Sequence, residues 1–165
     1  MNNLKTIILA ILLTIVMVAQ IVLAFVLYAR DGNPIIRNIG WGILWLSAIF
    51  GWLPIFTFKK WGGVTKGKSY IRTTKLVDKG VYAIVRHPQY VAGMLMGTAL
   101  PLIAQRWILG VLGVMVIVIN YIDTFEEEAS CRKKFGNDYT RYMQSVPRVN
   151  LILGIIRALK QRNKN

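Results

Sequence analysis

Acids are scarce in this chain of 165 residues. Seven Asp and Glu stand against 21 Lys and Arg, for a formal charge of +14. Histidine and cysteine occur once each, as His87 and Cys131. A lone cysteine excludes an intramolecular disulfide framework, and one His with one Cys is too small a donor set for a zinc centre. No metal site is expected, and a cytoplasmic Cys131 would stay a reduced thiol. So few acids beside 55% hydrophobic residues leave little charge balance for a soluble domain of this size. The basic excess is not interleaved with aromatics outside apolar blocks, so no nucleic-acid partner is expected. No internal repeat, low-complexity tract or linker is visible.

What the chain does have is long apolar blocks. Leu4 to Tyr28 is interrupted only by Lys5, Thr6, Thr14 and Gln20, and Ile39 to Phe58 carries no charge. Tyr90 to Ala104 and Trp107 to Ile122 are parted only by Gln105 and Arg106. Blocks of this kind read as membrane spans, although the third is short against the roughly 20 residues a span needs. The first is read as a span and not a signal peptide, because no small-residue cleavage site precedes Arg30-Asp31. The expected fold is all-α, an integral membrane helical bundle in one domain, 1–165. Its four spans would cover about 4–28, 39–58, 88–104 and 107–122, with a cytoplasmic loop at 59–87 and a C-terminal helical cap at 123–165.

Charge placement sets the expected orientation. Lys59 to Arg86 carries eight basic residues and the chain from Arg132 onward nine, whereas the other two loops hold only Arg30, Arg37 and Arg106. The positive-inside rule then puts both termini and the long loop in the cytoplasm, and an even number of spans agrees. Contact of these cations with anionic headgroups is explanation enough for most of them.

Two segments carry more than topology. The first is Gly80-Val-Tyr82-Ala-Ile-Val-Arg86-His87-Pro88-Gln89-Tyr90. Proline disfavours helix at the residue before it but suits the first helical turn, so a helix is expected to start at Pro88. Tyr82, Arg86 and His87 would then gather at its mouth, where a polar or anionic ligand is held. The second segment begins Asp123-Thr-Phe-Glu126-Glu127-Glu128 and continues to Phe135-Gly136, Tyr139 and Tyr142. Three consecutive acids at a membrane exit repel headgroups unless they face inward. On a continuing helix Asp123 and Glu127 share a face, Glu127 looks into the bundle or a cytoplasmic cavity, and Glu128 and Arg132 form an i,i+4 pair. Gly136 reads as a helix stop. A short surface helix over Asp138 to Ser145 would turn Tyr139, Tyr142 and Met143 to the membrane, Pro147-Arg148 would break it, and an amphipathic stretch would follow over Leu151 to Leu159. Cations beside carboxylates and aromatics suit a zwitterionic or sulfonium ligand.

The order and spacing of Leu76-Val77, Gly80-Val81-Tyr82-Ala83, Arg86-His87-Pro88-x-Tyr90, Glu127-Glu128, Phe135-Gly136-x-x-Tyr139-x-x-Tyr142 and Val146-Pro147-Arg148 resembles the isoprenylcysteine carboxyl methyltransferase family, which is grouped with membrane phospholipid methyltransferases. The resemblance covers residues 65–148. It implies S-adenosylmethionine as cofactor, with Thr74, Lys75, Leu76 and Val77 on its loop contacts. Tyr82, His87, Pro88, Gln89 and Tyr90 fall on the signature contacts, with Arg86 inside the same string. Glu127 falls on the acidic contact and Glu128 lies beside it. The chain departs from the pattern at Asp123, where carboxyl methyltransferases of this family carry an arginine near the substrate. An acid cannot pair with a substrate carboxylate, so an apolar-tailed amine or thiol gains over prenylcysteine itself. Such an acceptor needs a base, and Asp123, His87 and Glu127 are the candidate catalytic residues. The partners expected are therefore a lipophilic or lipidated substrate and the membrane. The competing readings are a sterol-reductase-like enzyme using NADPH, whose relatives are much longer, and a non-catalytic membrane relative.

Overall fold

The computed structural model describes residues 3–63 and 73–162. The expected basic loop residues Lys66, Lys68 and Arg72 lie outside the described residues, as does the end of the basic tail. The described residues are mostly helical, with no strand among them. The helices are α1 (Asn3–Val26), α2 (Pro34–Trp61), α3 (Pro88–Ala104), α4 (Trp107–Phe135), α5 (Asn137–Ser145) and α6 (Leu151–Arg162), with a single 3-10 turn at Gly80–Ala83.

Three of these, Leu4–Val26, Pro34–Trp61 and Trp107–Phe135, are long and apolar enough to cross a membrane. The third expected span is α3. It starts at Pro88 as the sequence predicts, but its 17 residues reach only about 25 Å at 1.5 Å per residue. Large aliphatic and aromatic side chains stay exposed along the spans, among them Phe25, Trp45, Trp52 and Trp107. In lipid that surface costs nothing. The chain is a helical membrane protein.

Two helix boundaries differ from the hydropathy reading, and both have local causes. α2 begins five residues early because Asn33 caps it: its Oδ1 accepts from Ile35 N at 2.9 Å and Ile36 N at 3.3 Å. α4 runs on past Ile122 to Phe135, since Glu, Lys and Arg are good helix formers and only the solvent changes at 122. It stops at Gly136, whose φ of 58° is the left-handed conformation that glycine adopts without strain.

The chain divides into two compact units: Met1–Ile49 with Tyr90–Glu126, and Phe50–Gln89 with Glu127–Asn165. In the first, α3 and α4 approach so closely that a Cβ on Gly113 would meet the Gly97 carbonyl oxygen at 2.3 Å. Gly93 and Gly97 are spaced i,i+4, the small-residue pattern that lets membrane helices touch. Three buried polar side chains are tied to backbone there. Gln20 Nε2 donates to Gly97 O and Leu109 O, Ser47 Oγ to Ala92 O, and Asn120 Nδ2 to Val116 O. Two small apolar clusters fill the rest, around Val16, Val116 and Ile119 and around Ala24, Ala104 and Leu109. The second unit has its core at Tyr139, Tyr142 and Val146, backed by Leu76, Cys131, Phe135 and Met143. Tyr139 and Tyr142 are thus buried against protein, where the sequence pattern expected them to face the membrane. Their i,i+3 spacing marks a buried stripe but cannot say what covers it.

Candidate functional site

The second unit is built around the turn that precedes α3. Gly80 has φ 61°, and a Cβ there would lie 3.1 Å from Trp61 Cζ3 and 3.2 Å from Thr57 Oγ1, so the chain enters the turn pressed against α2. Tyr82 then stacks on Phe58, with ring centroids 4.7 Å apart. The buried Tyr142 hydroxyl donates to Tyr82 O at 2.7 Å. Burial raises the pKa of Tyr142, which keeps that proton in place. Next, Arg86 N donates to Pro147 O at 3.0 Å and His87 N to Arg148 O at 3.2 Å. The Val146-Pro147-Arg148 motif therefore holds the Arg86-His87 backbone directly.

Glu128 is the centre of the side-chain arrangement. Its side chain is 2% exposed, and two arginines and His87 converge on it. Arg148 is bidentate, Nε to Oε1 at 2.9 Å and Nη2 to Oε2 at 2.7 Å. Arg86 Nη2 lies 3.2 Å from Oε1, and His87 Nε2 is also 3.2 Å from Oε1. On its other side, His87 Nδ1 is 3.5 Å from Glu127 Oε2. Glu127 is next on the helix, about 100° round, and its side chain keeps 46% exposure. A carboxylate buried this deeply needs several charge-assisted bonds to offset its desolvation. One exposed i,i+4 partner cannot supply them. The expected Glu128–Arg132 pair therefore gives way to Arg148, Arg86 and His87, and Arg132 lies exposed.

Burial of His87 by itself lowers its pKa. Hydrogen bonds to Glu127 and then Glu128, with their charges, outweigh that effect and raise it above the ordinary 6.5. With His87 protonated, three cations face two carboxylates and one positive charge is left over. Arg86 shows where that charge is available. Its side chain is 8% exposed, yet its Nε and Nη1 are buried with no partner among the described residues. A guanidinium with two unused donors in a desolvated place can take an anion.

The other residues picked from sequence fall in several places. Thr74, Lys75 and Leu76 line an open cleft of about 970 Å³, with Asp78, Lys134, Asp138, Arg141 and Arg157 among its walls. The cleft is not lined by His87 or Glu128. Thr74 is fixed by N to Gly62 O at 2.9 Å and Oγ1 to Gly63 O at 3.0 Å. Val77 is core, Pro88 is buried at the start of α3, and Gln89 is exposed. Tyr90 and Asp123 belong to the first unit, both half-buried. Sequence reasoning gave Arg148 no role, although its motif was in view.

The amino-acid end of S-adenosylmethionine carries a carboxylate and an ammonium. A buried Arg86 with free donors and a half-exposed Glu127 fit that pair of charges. No curated protein matches the chain. The family pattern described as phospholipid methyltransferase matches residues 36–138, more than half of the chain. It takes in most of α2, all of α3 and α4, and both the Arg86-His87 and the Glu127-Glu128 strings, and the chain belongs to this family of membrane methyltransferases.

Proposed function

We propose that this protein transfers the methyl group of S-adenosylmethionine to a lipid-like acceptor with an apolar tail, and that the acceptor group is an amine or thiol. The 165 residues act as one membrane domain with both termini in the cytoplasm, a reading supported by the seventeen basic residues within the loop and tail. The observation that carries the cofactor assignment is Arg86, buried and with two donors unused. Arg86 would take the cofactor's carboxylate and Glu127 its ammonium, with Tyr82, Pro88, Gln89, Tyr90 and the 74–77 segment completing the contacts. Bound there, the cofactor supplies an activated methyl on a sulfonium.

The chain's own residues have simpler tasks. Glu128 fixes Arg86, His87 and Arg148 in one rigid set, so little reorganisation remains when the ligand arrives. Both ring nitrogens of His87 face carboxylates, Nδ1 at 3.5 Å from Glu127 and Nε2 at 3.2 Å from Glu128, which suits it to holding Glu127 in place. That leaves Asp123 as the favoured base. An acid there attracts an ammonium and accepts the proton that an amine or thiol must lose, and it repels a carboxylate. A labelled-methyl transfer assay tests the proposal with three acceptor classes sharing one prenyl or acyl tail: a carboxylate, an amine and a thiol. Transfer to the amine or thiol, lost in Asp123→Asn, is the expected result. Transfer to the carboxylate alone would overturn the acceptor assignment, and transfer to none of the three would overturn the function.

A further inference from the structure

α6 divides its residues between two surroundings. Gly154 is buried, and a Cβ on it would meet the Ile84 carbonyl oxygen at 2.1 Å, so the helix backbone rests directly on the segment that leads to Arg86. Arg157, close by on the same helix, donates to the carbonyls of Ala83 and Ser145. Ile152, Leu153, Ile155, Ile156 and Leu159 are exposed instead, Ile152 by 73%. In water so many aliphatic side chains on one short helix would be a liability. On a protein that spans a membrane they have a solvent.

Contacts within the second unit tie α6 to the end of α2. The turn it rests on is pressed by Gly80 and Tyr82 against Thr57, Phe58 and Trp61 of α2. That end of α2 reads Phe58-Lys59-Lys60-Trp61, the aromatic and basic residues that mark a membrane–water interface. A helix resting on that turn is within reach of the headgroups. Its charge fits the same place: Lys160 is exposed on α6, and no acid occurs in the sequence after Asp138. Anionic headgroups attract such a segment and neutral ones do not.

The same segment reaches the ion cluster. Asn150 Oδ1 caps α6 by accepting from Leu153 N at 3.0 Å. Two residues earlier Arg148 clamps Glu128, and the carbonyls of Pro147 and Arg148 hold the Arg86 and His87 amides. We propose that α6 docks on the anionic membrane surface through its aliphatic face, and that this docking holds the 147–148 strap on Arg86-His87. Lipid charge would then regulate how firmly the site is assembled. The docking stands without the methyltransferase reading, and its use as regulation of the site rests on that reading.

The test uses the full chain in lipid nanodiscs of phosphatidylcholine, with or without phosphatidylglycerol. A fluorophore on Ile156→Cys, in a Cys131→Ser background, should be quenched by brominated lipid tails, and an unquenched label overturns the docking. Hydrogen exchange of the 84–87 backbone should slow by about fivefold in the anionic discs, a shift of about 1 kcal/mol. The double change Ile152→Ser with Ile156→Ser should abolish that difference. Equal exchange in both lipids, or slowing that survives the double change, overturns the coupling. Neither readout involves S-adenosylmethionine, so failure here and failure of cofactor binding are separate results.

Discussion

The two units use polar residues in opposite ways. In the first, buried polar groups act singly: Gln20, Ser47 and Asn120 each reach a neighbouring backbone carbonyl, and the helices meet through Gly93, Gly97 and Gly113. In the second, five charged side chains share one place, with Glu128 at its centre. A unit solvated by lipid needs only to satisfy its backbone and pack closely. Concentrating charge in the second unit is expensive, and the expense is intelligible if a charged ligand binds there.

The largest effect that would break this contrast is expected at Glu128. Removing its charge in Glu128→Gln leaves the buried Arg86 and His87, and the part-buried Arg148, without their common partner, a loss of about 3–5 kcal/mol. Thermal unfolding in detergent should show it as a large drop in midpoint, and an unchanged midpoint would mean the cluster is solvated. In the first unit the sensitive point is steric. Gly113→Val forces a side chain against the Gly97 carbonyl and should cost about 1–3 kcal/mol in the same measurement. A neutral outcome would show that α3 and α4 can separate freely.

Glu127 separates ligand binding from stability. Because its side chain is half-exposed, Glu127→Gln should change the unfolding midpoint little. It should weaken S-adenosylhomocysteine binding by about 1.5–3 kcal/mol, the range for a charge-assisted hydrogen bond, or about tenfold or more in affinity. Glu126→Gln is the control. Glu126 pairs with Lys5 at 2.7 Å in the first unit and should leave binding unchanged. Equal losses at both positions would mean that the acids act as a diffuse field.

Much of this was legible in the residues, for physical reasons that differ by element. Pro88 announces the start of α3 and Gly136 the end of α4, because each residue has one backbone conformation it serves best. The Arg86-His87 and Glu127-Glu128 strings were visible as polar groups where polar groups are costly. Their mutual partners were not. Which of two adjacent glutamates is buried depends on the rotation of α4, and Glu128 finds Arg148 twenty residues away, beyond the reach of any helical spacing rule. The inward turn of Tyr139 and Tyr142 escaped for the same reason, since periodicity gives a stripe and not its neighbour. The Gly93–Gly97 pair was a readable signal that hydropathy alone passes over.

A smaller effect should come from pH. The folded pKa of His87 is raised, so its ion pairs contribute stability in full below the ordinary value of 6.5. That contribution is lost as pH rises through the higher folded value. The unfolding midpoint of the wild type should therefore fall from pH 6 toward alkaline pH, and His87→Gln should flatten the slope. A midpoint that rises over that interval would reverse the assignment. Smallest of all should be Lys5→Gln, which removes an exposed pair contributing under about 1 kcal/mol.

Arg86 is central, because its unused donors would take the cofactor's carboxylate. Calorimetric titration of S-adenosylhomocysteine into the wild type and into Arg86→Lys is the direct test. Lysine keeps the charge beside Glu128 but has no planar fork for a carboxylate. The wild type should bind at one site, and Arg86→Lys should bind about tenfold or more weakly while its unfolding midpoint stays close to that of the wild type. A wild type that does not bind, or an Arg86→Lys variant that binds equally well, would contradict the claim that this cluster holds the methyl donor.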